Sequence, residues 1–415
     1  MKTIFFNSNQ VVTCRGSHSK KGSEMSDVGL VDNGSVVIED GKIVWVGQTD
    51  DLESIFDMKN YNIIDCKGKI ITPAYVDSHT HLVFGGNRED EYAMRLKGAS
   101  YMEIMEMGGG INNTVRATRQ ESEDFLYEKA LKRLDSFLRF GVTTVESKSG
   151  YGLDFDTEIK QLKVNKRIDE NHIVDVVSTY MGAHSVPDEY KGKEDQYIDY
   201  MIDKVLPYVV SEELATFCDI FCEKNVFSIE QSRRLMLRAK EMGLGLKIHA
   251  DEIYRLGGAE LAAELEMKSA DHLLKASDQG IKDMAKSGVV ATLLPITAFS
   301  LKEEYARGRF IIDNGGAVAI ATDYNPGSCH SHSIPLMIAL STIYMGLTIE
   351  EVLNALTING AAALGLEKIT GSIEKGKNGD ILIHDCPNYK HISYNISVNT
   401  VEKVIKKGEI VYNRV

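Results

Sequence analysis

The residues of this chain that could do chemistry are histidines and acids placed just after short apolar runs. His79-Thr80-His81 is the sharpest such feature. Residues i and i+2 of a strand point to the same side, so both imidazoles can share one cation on the strand predicted for ITPAYVD. A lone H-x-H is more often a pair of exposed loop residues. The apolar strand before it, and distant partners of ligand type, reverse that reading. His249 in LGLKIHADE supplies a third nitrogen and Asp323 in AVAIATDYNPGS an oxygen, a mixed set suited to Zn²⁺ or Fe²⁺. A carboxylate after a fully apolar strand is costly unless coordinated, paired or hydrogen-bonded. One divalent metal, zinc or iron, held by His79, His81, His249 and Asp323 is therefore the expectation.

Glu252 in HADE and His272 in ADHLL are candidates for moving protons beside that metal. Singly, each would more often be a structural hydrogen-bonder; one strand apart and next to His249, they form a plausible pair. His184 in MGAHSVP reads equally well as a core histidine or as a group that polarises a carbonyl. His330 and His332 make a second H-x-H in SCHSHS, but no strand precedes them, so they are expected in a loop or at the surface. His18, His172, His384 and His391 show no partner in the sequence and are expected to face solvent. GGG at 108–110 lacks the Lys-Ser/Thr pair of a phosphate loop and is expected to be a mobile loop over the site. The six cysteines include no C-x-x-C pair. Cys218 and Cys222, four apart, could share a helix face, and they are expected to be buried thiols rather than a zinc knuckle.

These residues need a frame. Between about 72 and 365, short apolar runs (142–150, 174–184, 244–252, 269–274, 289–295 and 317–328) alternate with helical stretches such as 123–141 and 229–243. Strand-then-helix repetition predicts parallel strands with crossover connections. Six or seven such units closing on themselves fit a (β/α)8 TIM-like barrel, whose sites lie at the C-terminal strand ends. No G-x-G-x-x-G opens a helix to favour a doubly wound sheet. Both ends of the chain look different: GSVVIEDGKIVWVG (34–47) predicts a hairpin at Asp40-Gly41, and 375–385 and 401–413 predict short strands. A small β-sandwich domain assembled from 1–71 and 366–415, beside a barrel of 72–365, is the expected organisation.

The bulk properties agree. The chain has 415 residues, 43% hydrophobic and 26% charged, enough for a large core with an accessory unit. A net charge of −13 argues against nucleic acid or an anionic membrane as partner. No apolar run approaches the roughly 20 residues of a membrane span, and the N-terminus lacks a signal-peptide core. Cytoplasmic residence is the expectation.

Strand–H-x-H, a later strand-end His, another His and a final strand-end Asp resemble the ligand pattern of the amidohydrolase superfamily. DSHTHLVFGGNREDEYAMRLKGASYMEI, ESKSGYGL, TYMGAHSVP, KIHADE, ADHLL, LLPITAFSL and ATDYNPGS further resemble its imidazolonepropionase family, over nearly the whole chain. That resemblance implies hydrolytic opening of the ring of 4-imidazolone-5-propanoate to N-formimidoyl-L-glutamate in histidine breakdown. It implies metal ligation by His79, His81, His249 and Asp323, and acid/base roles for Glu252 and His272, with Asp323 as a proton shuttle. Substrate binding falls to Arg88, Tyr151, His184, Asn325, Gly327 and Ser328, with His184 polarising the ring carbonyl, and a homodimer is implied. Arg88 could grip the propanoate carboxylate with two charge-assisted bonds. Binuclear superfamily members carry a carboxylated Lys on the fourth barrel strand. The strand read as fourth, VDVVSTYMGAH, has none, so one metal is expected. Alternatives are a hydantoinase-like or guanine deaminase-like hydrolase, for which Arg88 has no charged partner, and a non-catalytic scaffold, which retention of all four ligands disfavours.

Overall fold

The computed structural model describes residues 2–99, 103 and 109–414. The end of the DSHTH stretch (100–102 and 104) and Gly108 of the expected mobile loop lie outside the described residues.

Eight parallel strands run in chain order around the barrel: β6 (Tyr75–Asp77), β7 (Val142–Lys148), β8 (Asp175–Ala183), β9 (Phe217–Cys222), β10 (Gly245–Ala250), β11 (Ser269–His272), β12 (Val290–Leu293) and β13 (Ala317–Ile320). Strands covered on both sides read as continuous apolar runs, as in VATL and AVAI, all eight residues buried. The last strand meets the first just past their ends. A parallel bridge joins Thr80 to Tyr324, the Asp323 amide donates to the His79 carbonyl at 3.0 Å, and the His81 amide donates to the Tyr324 carbonyl at 2.9 Å. The backbone that closes the barrel is thus the backbone of three proposed donors.

The helices between strands follow ordinary signals. Ser122 caps Glu123–Arg139, which buries Leu126, Ala130, Leu134 and Phe137 along one stripe. Ser228 and Gln231 form a capping box on Ile229–Glu241. Both arrangements satisfy amide groups that a helix start leaves open.

Strands from both termini build a second, mixed sheet in the order β16-β15-β14-β5-β1-β2-β3, with β4 also paired to β1. Their ranges are β1 (Lys2–Val12), β2 (Leu30–Glu39), β3 (Lys42–Gln48), β4 (Asn62–Asp65), β5 (Ile70–Pro73), β14 (Ile381–His384), β15 (Val401–Lys406) and β16 (Glu409–Asn413). The expected hairpin joins β2 to β3 through Asp40 and Gly41, both at positive φ (48° and 79°), as a two-residue primed turn requires. The sheet wraps its own core of Phe5, Val36, Ile71, Ile381 and Ile405. Among the described residues no helix is long and apolar enough to cross a membrane.

Four expectations need correction. Phe217–Cys222 is a strand that the sequence reading passed over, because Asp219 and its cysteines interrupt the apolar pattern. Cys218 and Cys222 therefore lie on a strand, not a helix, and both are buried free thiols. VDVVSTYMGAH is then the third barrel strand; the fourth, FCDIFC, also contains no Lys. His384 does not face solvent. It is fully buried between the hydroxyls of Thr72 (3.0 Å) and Thr400 (2.9 Å). His172 is likewise engaged, accepting from the Val174 amide at 3.1 Å and lying 3.4 Å from Asp135, while His18 is exposed and His391 half-buried.

Lys406 ties the second sheet to the barrel. Its ammonium donates to the Thr143 carbonyl (3.1 Å), Asp175 (2.6 Å) and Asp380 (3.0 Å), and Asp380 is buried. Removing one member of such a cluster strands a charge away from water. Lys406→Met is expected to destabilise the protein by about 3–5 kcal/mol, read as a lower urea midpoint.

Candidate active site

Each candidate side chain leaves the C-terminal end of a barrel strand, and the strand order brings them together. His79 and His81 follow β6, His184 follows β8, His249 lies on β10, His272 ends β11 and Asp323 follows β13. His79, His81, His249, His272 and Asp323 are all buried. The His79 and His249 rings are 4.6 Å apart between centroids, His79 and His81 5.5 Å, and His81 and His249 5.6 Å. Asp323 Oδ1 lies 3.5 Å from His79 Nε2 and 3.8 Å from His81 Nε2. Among the described residues three donor groups that could hold a metal ion share His79: one with His81 and Asp323, one with His249 and His272, and one lower in the barrel with Glu146 and Asp271.

Carboxylates set the direction of two imidazoles. Asp271 accepts from His79 Nδ1 at 2.6 Å, and Asp219 accepts from His249 Nδ1 at 3.0 Å. With Nδ1 carrying the proton, each Nε2 presents a lone pair to the centre. Both Nε2 atoms are buried without a hydrogen-bond partner, which is costly for a polar atom and suits a nitrogen that ligates a cation. Burial, reinforced by Lys148 and the neighbouring imidazoles, holds His79 well below the usual histidine range. Burial, reinforced by the neighbouring imidazoles and Lys148, does the same for His81 and His249. Neutral imidazoles are what a metal needs. The donor set and these orphaned nitrogens fit a single divalent ion.

Asp323 and His272 adopt left-handed backbone (φ 53° and 73°), unusual for non-glycine residues and common where a site fixes a side chain. Thr297 Oγ1 donates to Asp323 Oδ2 at 2.7 Å, leaving Oδ1 toward the histidines. Burial raises the Asp323 carboxyl to about 7, against the pull of Thr297. His272 Nδ1 and Glu252 Oε1 are 3.5 Å apart. Burial lowers His272 to about 4 and raises Glu252 to about 8, the latter helped by Asp323 and Glu223.

Beside the donors lies the second group of candidates. The His184 ring stacks on His81 at 4.7 Å and 5.3 Å from Tyr151. Its Nδ1 donates to the Gly150 carbonyl at 3.1 Å, and burial lowers its pKa to about 4. Gly150 (φ 105°) permits this approach, since a Cβ there would meet His184 at 2.8–2.9 Å. A neutral His184 protonated on Nδ1 has only an acceptor at Nε2. The expected polarisation of a substrate carbonyl needs a donor, whereas this tautomer turns a lone pair outward from Nε2.

Arg88 is gripped on one edge. Glu91 Oε2 accepts from its Nε and Nη2, both at 2.8 Å, and also from the Gly110 amide at 3.2 Å, while Oε1 accepts from Asn113 at 3.1 Å. Arg88 Nη1 occupies the space that a side chain on Gly327 would fill, and Arg95 donates to the Gly327 carbonyl at 3.0 Å. Asn325 shapes the same loop: Oδ1 accepts from the Gly327 and Ser328 amides at 2.8 Å, and Nδ2 donates to the Asp323 carbonyl and Ser328 Oγ. His330 and His332 sit in the next loop as expected, against Tyr324 and Phe137.

Sequence reasoning passed over Asp219, Asp271, Lys247, Glu91 and Thr297, and it placed Glu146 and Lys148 at a strand end without giving them a role. Five of these are charged residues inside apolar strands (VESK, CDIF, LKIH, SADH). That misfit is the signal that could have found them.

Comparisons with known proteins bear on this arrangement. A model described as "Amidohydrolase family" matches residues 70–411. Over 411 residues the chain is 56% identical to an imidazolonepropionase of Clostridium tetani, covering 99% of this chain and 98% of that protein. An adenosine deaminase from Xanthomonas campestris with bound zinc superposes at TM-score 0.71 with 18% identity, over 98% of this chain and 92% of that one. E. coli guanine deaminase does so at 0.72 with 14% identity, over 100% of both. At such identities the two deaminases speak to the fold alone.

Asp271→Asn keeps the size of the side chain but loses the charge that fixes His79. It is expected to weaken metal binding about 10- to 100-fold, measured as metal retained at equilibrium with a chelator.

Proposed function

The chain belongs to the amidohydrolase family, among the imidazolonepropionases, and from that premise we propose that it opens the ring of 4-imidazolone-5-propanoate with water, yielding N-formimidoyl-L-glutamate. It is a metal-dependent hydrolase of C–N bonds in cyclic amides. The observation that carries the substrate assignment is Arg88. Its guanidinium is clamped by Glu91 along the Nε–Nη2 edge, so the Nη1 end is left for an anionic group. Deaminases and hydantoinases acting on uncharged rings have no use for it, whereas a propanoate carboxylate does.

We assign His79, His81, His249 and Asp323 as ligands of one zinc or iron ion. Bound there, the ion supplies a Lewis acid that brings the pKa of water toward neutrality. Glu252 and His272 orient the water and take its proton as the oxygen adds to the ring carbonyl. The same pair, with Asp323 as relay, returns a proton to the ring nitrogen as the C–N bond breaks, so no net proton is gained by the protein. His184 accepts an N–H of the ring through Nε2 and, with Tyr151, holds the ring plane. Asn325, Gly327 and Ser328 form the wall beside the carboxylate. Residues 72–365 form the catalytic domain and 1–71 with 366–415 the accessory one; a cytoplasmic homodimer is part of the same proposal.

Turnover of imidazolone propanoate, assayed beside guanine and hydantoin, is expected for the first substrate alone. Preferential turnover of guanine or hydantoin would refute the assignment. Arg88→Ala should lower kcat/KM about 10- to 1000-fold, chiefly through KM, from the loss of charge-assisted bonds worth about 1.5–3 kcal/mol each. Gly327→Ala, whose methyl group would displace Arg88 Nη1, should likewise raise KM while metal content stays at one equivalent. His249→Ala should lose both metal and turnover.

A further inference from the structure

Beneath the donor cluster, the barrel interior holds five fully buried charged residues: Glu146, Lys148, Asp219, Lys247 and Asp271. Lys148 Nζ lies 2.6 Å from Asp219 Oδ2, 2.9 Å from Glu146 Oε2 and 3.5 Å from Asp271 Oδ2. Lys247 is the more peripheral cation. It donates to the Ser78 carbonyl (2.9 Å) and Glu146 (2.8 Å) and stays 3.9 Å from Asp271. Glu146, Asp271 and His79 also form a donor trio, but its two carboxylates are already engaged by these ammonium groups.

One ammonium therefore touches both carboxylates that orient the metal-facing histidines, Asp219 behind His249 and Asp271 behind His79. A carboxylate has several lone pairs and, unrestrained, can turn away from its imidazole. Fixing Asp219 Oδ2 on Lys148 aims Oδ1 at His249. In the same way, the shared charge keeps two adjacent anions from repelling each other apart. We propose that Lys148 is a positioning residue for the metal centre, coupling the His79 and His249 arms through Asp271 and Asp219. The inference rests on reading those histidines as ligands.

The test is zinc affinity by chelator competition on the full-length zinc-loaded protein, with Lys148→Met, Asp219→Asn and the double variant. Each single change is expected to weaken zinc about 10- to 100-fold. The double should be no weaker than the worse single by more than about threefold, since the two changes break one chain of contacts. In cobalt-loaded Lys148→Met the visible d–d bands should shift, a signature of altered ligand geometry that a purely structural residue would leave unmoved. Wild-type affinity with unchanged bands in Lys148→Met, or effects that multiply in the double, would overturn the proposal. Unchanged zinc affinity in Asp219→Asn would instead overturn the ligand reading beneath it. If Lys148→Met does not fold, the Asp219→Asn and Asp271→Asn pair serves: effects falling short of multiplication support the shared ammonium, and clean multiplication refutes it.

Discussion

The structure turns on a bond between a buried carboxylate and a buried imidazole, made twice. Asp271 on His79 and Asp219 on His249 fix which ring nitrogen is left free and where it points. Neither acid could sit inside a barrel alone, because taking a charge out of water costs several kcal/mol. Two lysines from β7 and β10 supply the compensating charge. The interior of this barrel is thus a floor of interlocked charges, three carboxylates on two ammonium groups, rather than a purely apolar plug, and the donor cluster stands on it.

Closure of the barrel serves the same end. The backbone bonds between 79–81 and 323–324 join the first strand to the last, so the register of the fold and the spacing of the donors are set together. The second sheet contributes at a distance, anchored through Lys406 to acids on both units. In the proposal made above, substrate choice rests on a clamped guanidinium and on a glycine that leaves room for it.

Much of this was legible before any coordinates. The strand–helix alternation, the hairpin at Asp40-Gly41 and the convergence of His79, His81, His249 and Asp323 follow from pattern and residue type. What was hidden has a common cause. Asp219 sits in FCDIFC, whose cysteines blur the apolar signature, so β9 was passed over and with it the acid behind His249. Asp271 adjoins His272, and the histidine drew attention while the acid did the orienting. His384 gave no hint of burial because its two threonine partners lie 312 and 16 residues away in sequence. His184 was open between two roles because nothing in the sequence pairs its Nδ1 with the Gly150 carbonyl, 34 residues away.

The most direct examination of the central claim is an anomalous difference map from crystals of the protein grown with its metal. A single peak bounded by Nε2 of His79, His81 and His249 and by a carboxylate oxygen of Asp323 is the expected result. A peak lower in the barrel, between Glu146 and Asp271, or none where the three imidazoles meet, would contradict it.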